Sequence, residues 1–290
     1  MPPSLTVLMT AYSRTTVHEL ERSVASVMGQ TRPPEDFLVV VDGPVPEPLD
    51  TALAAAMAAH PTLRVERLPQ NLGSGLASAR GLELATGDYV ARHDSDDISL
   101  PHRLEREMDA VEQHHLDLVG SAMLEFEGTP DNVVGVRRNP RSHEQIAARM
   151  RLNNPMNNPT VLFRRQLALD VGSYADLRYM QDYDLFARML AAGARAGNLD
   201  EPLVLFNASD GMIARRGGWR MLSHEWVIQR RLRDTGTIGN VLLARNMVVR
   251  GAFRVIPPAL LKRVYAVLFR RGPQDPATAP AAGDRPQVGR

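Results

Sequence analysis

"DYVARHDSDDI", residues 88–98, decides how the chain is read. It opens as a short half-apolar strand and then packs three aspartates, Asp94, Asp96 and Asp97, into four positions. Carboxylates this close repel one another, so they either turn into water or gather around a cation. Mg²⁺ or Mn²⁺ takes oxygen ligands, usually one or two carboxylates completed by substrate phosphates and water. In an extended segment residues i and i+2 point the same way. Asp94 and Asp96 are therefore expected on one face, with Asp97 beside them. The bland alternative is a polar turn in which Asp97 or Ser99 caps the following helix.

Working outward, the preceding residues alternate strand and helix signals. "LTVLMT" (5–10), "FLVVV" (37–41), "LRVERL" (63–68) and "DYVAR" (88–92) read as strands. Between them, Val17, Leu20, Val24, Val27 and Met28 share one helical face, an alanine-rich helix is expected at about 49–59, and a glycine-opened helix follows Asn71. This order implies an α/β fold with a mostly parallel central sheet and helices on both faces. Ligands of such sheets bind beyond the carboxyl ends of the strands. Asp42, Asn71–Gly75 and the aspartate turn all fall at such ends or at a helix start, which makes them candidates for one site. Further on, the spacing predicts a helix at about 99–115, a strand in "DLVGSAMLEFE", a helix at about 182–192, and helices at about 218–234, 238–253 and 258–271.

The 290 residues hold enough apolar side chains, 44%, for a sizeable core. The chain has no cysteine, which excludes disulfides and thiolate metal sites. The start "MPPSLTVLMT" has no signal-peptide pattern, and no apolar run is long enough to span a bilayer. The net charge of +1 hides an asymmetry. Residues 1–211 hold 19 Lys and Arg against 29 Asp and Glu; residues 212–271 hold 13 against two. The division expected is a catalytic body at 1–211, a basic amphipathic helical segment at 212–271 and a disordered Pro/Ala-rich tail at 272–290.

Five motifs in order carry a resemblance. They are Tyr12-Ser13, Asp42-Gly43, Asn71-Leu72-Gly73 with Ala79-Arg80, "DSDD" at 94–97, and Gln181-Asp182. Over residues 4–211 the chain resembles the family 2 glycosyltransferases, which have a GT-A fold. The resemblance implies transfer of a sugar, with inversion, from a nucleoside diphosphate donor, expected to be UDP-linked. Asp96 matches the metal-binding acid, with Asp94 and Asp97 as neighbours and Mg²⁺ or Mn²⁺ as cofactor. Thr10, Tyr12, Asp42, Asn71 and Arg80 match the nucleotide-sugar side, together with Asp94. Asp182 matches the base that takes the acceptor proton; it also reads as a helix N-cap, and Asp184 reads as an ordinary first-turn acid. Val41 and Gln181 stand where relatives often carry acids, so Asp42 and Asp182 act alone in their pairs.

"NNPTVLFRR" (157–165), "DGP" (42–44) and "RRGG" with Glu225 downstream are similar to the bacterial exopolysaccharide and O-antigen transferases. This subgroup implies a saccharide acceptor on a polyprenyl diphosphate, and Arg215 or Arg216 as a diphosphate contact. The later helices combine apolar stripes with arginines. One stripe runs through Ile238, Val241, Leu242, Val248, Val249, Ala252 and Phe253. That pattern suits an anionic membrane surface, placing the protein peripherally on the cytoplasmic face of the cell membrane. A nucleic-acid partner is not expected, since the basic segment has few aromatics and no recognisable module. Two competing functions are a sugar nucleotidyltransferase, whose glycine-rich start "TAYSRTT" lacks, and a non-catalytic membrane-bound scaffold.

Overall fold

A computed structural model describes residues 2–208 and 219–255. Arg215 and Arg216, the expected helix at 258–271 and the tail lie outside the described residues. The first half of the chain runs β1 (Leu5–Ala11), α1 (Val17–Met28), β2 (Asp36–Val41), α2 (Glu47–Ala59), β3 (Leu63–Arg67), α3 (Ser74–Leu84), β4 (Tyr89–Asp94) and β5 (Ile98–Ser99). It continues through α4 (Arg103–His114), β6 (Leu118–Phe126), β7 (Val133–Arg137), α5 (His143–Met150), β8 (Leu162–Arg164), α6 (Arg165–Asp170), α7 (Gln181–Ala191) and β9 (Ala196–Asn207). Two helices follow, α8 (Trp219–Asp234) and α9 (Asn240–Val255).

The strands form one sheet in the order β3-β2-β1-β4-β8-β6-β9-β5, with β7 on β6. Strands β3, β2, β1 and β4 are mutually parallel; β8 runs antiparallel between β4 and β6, and β6 pairs β9 in parallel. Period-two alternation divides the core between two faces. Leu8, Leu38, Val40 and Val90 face α3, α6 and α7, whereas Val7, Met9, Phe37, Val39 and Ala91 face α1, α2 and α4. All six residues of β2 are buried, as the unbroken run "FLVVV" requires of a strand covered on both sides. Helix α1 starts with a reciprocal capping box between Thr16 and Glu19.

Three elements differ from the sequence expectation. The helix expected from 99 begins at Arg103, because Ile98 and Ser99 pair with Leu205 and Val204 of β9. Helix α7 begins at Gln181 behind Met180, a residue at φ 61° with no side-chain cap, so Asp182 lies inside the first turn rather than at the N-cap. Helix α9 splits the expected stripe between the body and solvent. Ile238 and Leu243 are buried, but Val241 is 88% and Val248 72% exposed. Polar contacts hold the helix in this orientation. Asn246 Nδ2 donates to Gln229 Oε1 and to the Arg151 carbonyl, both at 2.9 Å, and Arg250 Nη2 donates to the Leu152 carbonyl at 2.6 Å. The described part of the C-terminal segment therefore packs on the body.

Beneath the turn after β4 lies a buried polar group of Arg92, His93, Asp97, Ser99, Arg103 and Glu107. Arg103 donates to Glu107 Oε1 (3.1 Å), Ser99 Oγ (3.0 Å) and the Arg92 carbonyl (2.7 Å). Its Nη1 also faces His93 Nδ1 at 3.3 Å, so that nitrogen accepts and the imidazole is the neutral Nε2–H tautomer. Burial and the neighbouring Arg103 and Arg92 hold the His93 pKa well below its ordinary value. Burial raises the Glu107 carboxyl from 4.5 to about 7, against the pull of Arg103. A carboxyl whose pKa rises on folding contributes stability fully below its unfolded value, and the contribution is lost as pH rises through the folded value. Glu107→Gln keeps an acceptor for Arg103 but cannot ionise. The loss of stability between about pH 5 and about pH 8 should be smaller in this variant than in the parent, as read from urea midpoints at the two pH values.

Candidate active site

The carboxyl ends of β1, β2 and β4 open into a cleft of about 490 Å³. Thr10 and Tyr12 come from β1 and its turn, Asp42 from the end of β2, and Asn71, Gly73 and Ser74 from the start of α3. Asp94, Ser95 and Asp96 line it from the turn after β4, Asn207 from the end of β9, and Arg178 and Tyr179 from the approach to α7. Parallel pairing in which Thr10 stands opposite Asp94 on one side and Val40 on the other brings these ends level.

Asp42 ties the end of β2 to the start of α3. Its Oδ1 accepts the Leu72 N–H at 2.7 Å and its Oδ2 the Gly73 N–H at 2.9 Å; its carbonyl accepts Asn71 Nδ2 at 3.1 Å. Gly43 next to it has φ +85°, and a Cβ there would stand 2.6 Å from the Asn71 nitrogen. The "DGP" turn thus needs glycine for both conformation and space. At Gly75 a Cβ would stand 2.6 Å from the Leu177 carbonyl oxygen, so the glycine lets the segment before α7 lie against α3.

The aspartate turn is held from behind. Asp97 N–H donates to the Asp94 carbonyl (3.1 Å), which also accepts Ser23 Oγ (3.3 Å), and Arg22 donates to the Asp96 carbonyl (3.3 Å). Thr15 Oγ1 and Ser95 Oγ, 3.1 Å apart, tie the turn to the end of β1. Asp94 and Asp96 are half-buried and reach the cleft; Arg92 Nη2 stands 3.4 Å from Asp94 Oδ1. Asp97 departs from the expected trio. It is fully buried, its Oδ1 accepts the Asn207 N–H at 2.9 Å, and its Oδ2 has no hydrogen-bond partner. Burial, with the charges of Asp96 and Asp94, pushes its pKa well above the carboxylate range. Among the described residues no three His, Asp or Glu side chains converge as a metal cage. The turn offers two carboxylates to the cleft, the number a magnesium-type site uses when phosphates supply the remaining oxygens.

Asp182 is not among the residues that line this cleft; it lies in the first turn of α7, next to Gln181. Its Oδ2 accepts Asn154 Nδ2 at 2.8 Å, and the neighbouring Gln181 Nε2 donates to Ser74 Oγ at 3.0 Å, which fixes the start of α7 against the start of α3. Tyr174 is buried, with its hydroxyl unpartnered. Burial raises its pKa most, the charges of Asp182 and Asp94 add to that, and Arg92 opposes it. One phenol thus feels both carboxylates.

Two other expected roles change. Asp184 is no ordinary first-turn acid: it is buried, and both its oxygens receive Arg231 while Oδ2 also receives Arg188 at 2.7 Å. Arg80 lies outside the cleft, paired with Glu66 at 2.9 Å and Glu83 at 3.3 Å on an exposed helix face. Residues unforeseen in the sequence are Tyr174, Arg178, Tyr179, Asn207 and Asn154. Only Asn154 carried a local signal, the Asn-Pro-rich loop "NNPMNNP".

Residues 6–172 match the family model described as glycosyl transferase family 2. The chain belongs to this family. It is 33% identical over 263 residues to the amylovoran biosynthesis glycosyltransferase AmsE of Erwinia amylovora, covering 89% of this chain and 97% of that one. It is 26% identical over 270 residues to the UDP-Gal:alpha-D-GlcNAc-diphosphoundecaprenol beta-1,3-galactosyltransferase of Escherichia coli, covering 93% and 98%. The mannosyltransferase PcManGT from Pyrobaculum calidifontis, solved with GDP-Man and Mn²⁺, superposes with a TM-score of 0.62 at 15% identity over 92% of this chain and 81% of that one. This glycosyltransferase has the GT-A fold, and its cleft lies where the family's parallel strands end.

In this glycosyltransferase Asp42→Asn keeps one acceptor and turns an amide toward a backbone N–H. Hydrogen bonds to a charged group are worth ~1.5–3 kcal/mol. The variant should lose stability of that order, measured as a lowered urea midpoint.

Proposed function

We propose that this family 2 glycosyltransferase is an inverting enzyme whose base is Asp182. It moves a sugar from a nucleoside diphosphate donor, UDP-linked, to a hydroxyl of a saccharide carried on a polyprenyl diphosphate. The observation that carries the reading is the pair of carboxylates, Asp94 and Asp96, in the cleft at the strand ends, with a third carboxylate, Asp182, on the helix whose first residue, Gln181, bonds to Ser74 of the cleft lining. Mg²⁺ or Mn²⁺ held by Asp94 and Asp96 would supply Lewis-acid stabilisation of the departing diphosphate. The Mn²⁺ and GDP-Man bound to the mannosyltransferase of the same fold support that assignment.

The chain's own residues carry the remaining work. The Asp42-anchored loop, with Asn71, Thr10 and Tyr12, borders the space for the nucleoside. Asp182 takes the proton from the acceptor hydroxyl as that oxygen bonds to the anomeric carbon. The bond from that carbon to the diphosphate oxygen breaks with its electron pair, and the nucleoside diphosphate leaves. The transition state is oxocarbenium-like, as in glycoside hydrolysis. The names of two relatives support a surface-polysaccharide role, one in amylovoran biosynthesis and one on a diphosphoundecaprenol acceptor.

A lipid diphosphate acceptor requires approach to the membrane. Among the described residues no helix is long and apolar enough to cross one. Helix α9 instead presents Val241 and Val248 outward within a segment holding 13 basic residues and two acids. We assign this face to the anionic cytoplasmic membrane surface, with Arg215 or Arg216 near a diphosphate.

Asp182→Asn should bind a UDP-sugar with Mn²⁺ as the parent does, read as an equal thermal shift, and transfer at least ~100-fold more slowly. Near-normal turnover would remove Asp182 from the role. Full-length protein should float with phosphatidylglycerol vesicles at low salt and less at high salt. The Val241→Asp/Val248→Asp variant should float less at both; flotation equal to that of the parent would release this face from the assignment.

A further inference from the structure

Asp182 stands in the first turn of α7, behind a residue that offers no side-chain cap. Its carboxylate accepts a contact from elsewhere in the chain. Asn154 provides it. Its Nδ2 donates to Asp182 Oδ2 at 2.8 Å, and its Oδ1 accepts the Met156 N–H at 3.1 Å. The second bond fixes the first. A flipped amide would set its NH₂ against the Met156 N–H and its oxygen against the carboxylate, losing both.

The loop that carries Asn154 is itself held on several sides. Asn198 of β9 donates to the Pro155 carbonyl at 3.1 Å, and Asn157 donates to the Ser121 carbonyl at 3.0 Å. Tyr183 of α7 donates to the Met150 carbonyl at 2.6 Å. Helix α9 reaches the same loop through Asn246 to Arg151 and Arg250 to Leu152. Helix α9 is joined to α8 by Asn246–Gln229 and Arg250–Glu225, and α8 returns to α7 by Arg231–Asp184. The α8–α9 hairpin thus grips the Asn154 loop on one side and the turn of Asp182 on the other.

We propose that Asn154 is the positioning residue for the Asp182 carboxylate, and that the α8–α9 hairpin holds the loop from which it acts. This rests on Asp182 being the base. A small misplacement of a reacting group can cost on the order of 100-fold in rate. A hydrogen bond donated to a carboxylate also favours its ionised form. Loss of that bond therefore raises the pKa of the base and moves the acid limb of the kcat profile to higher pH.

The test compares Asn154→Ala and Asn154→Asp with Asp182→Asn in the full-length protein, using a UDP-sugar and Mn²⁺. Asn154→Asp keeps the acceptor for Met156 while replacing the donor with a like charge. Asn154→Ala should lower kcat about 10–100-fold with the donor KM unchanged, and its acid limb should move up in pH. Asn154→Asp should move the limb further in the same direction. Adding Asn154→Ala to Asp182→Asn should cost nothing more. If Asp182→Asn is slow but both Asn154 variants keep the parent kcat and acid limb, the positioning role is overturned and the base assignment stands. If Asp182→Asn turns over normally, the base assignment fails, and the role of Asn154 with it. Should Asn154→Ala not fold, the Asn154→Asp limb decides alone.

Discussion

The acidic turn after β4 stands on two buried guanidinium groups, and the rest of the cleft depends on that arrangement. Arg92 and Arg103 are almost wholly removed from water. A buried charge is costly unless it is paired and hydrogen-bonded. Arg103 meets this condition with Glu107, Ser99 and the Arg92 carbonyl, and Arg92 with the Leu8 carbonyl and Asp94. These groups stand behind three aspartates that would otherwise repel without compensation. Asp97 is withdrawn to the end of β9, which leaves Asp94 and Asp96 facing the cleft. The turn's shape therefore comes from the protein's own cations.

What the sequence made legible was whatever repeats locally. The buried runs of β1, β2 and β4 and the faces of α1 and α3 follow from periods of two and 3.6, and their parallel order placed the cleft. The features it hid are those decided by partners far along the chain. Nothing near Ile98 announces pairing with Leu205, and the spacing of Asp94, Asp96 and Asp97 gives no hint that Asn207 draws the third one inward. Apolar spacing could not show which part of the α9 stripe meets the body, because Asn246 and Arg250, polar residues, define that contact. Asp184 read as an ordinary first-turn acid because one of its two arginine partners, Arg231, lies 47 positions away.

The cleft and the surroundings of Asp182 are built differently. The cleft is shaped largely by backbone: strand ends, a glycine turn and N–H groups fixed by Asp42. Asp182 is surrounded by side chains from α3, α7, α8 and the Asn154 loop, joined by hydrogen bonds and ion pairs. Substitutions around Asp182 can therefore fall on α7, the Asn154 loop or the C-terminal hairpin while β1 to β4 stay as they are.

The span of these contacts bears on the order in which the protein is made. The bonds from α9 to the loop before α7 join residues 95 and 98 positions apart, and Arg231 reaches back 47. Chains emerge from the ribosome amino end first, and early segments fold as they emerge. Strands β1 to β4 and the Asp42 turn have all their sheet partners within the first 164 residues. The surroundings of Asp182 are fully braced only after residue 250 has been added. A nascent chain thus pairs β1 to β4 well before the Asp182 carboxylate is fully supported, and a chain released early stops between the two.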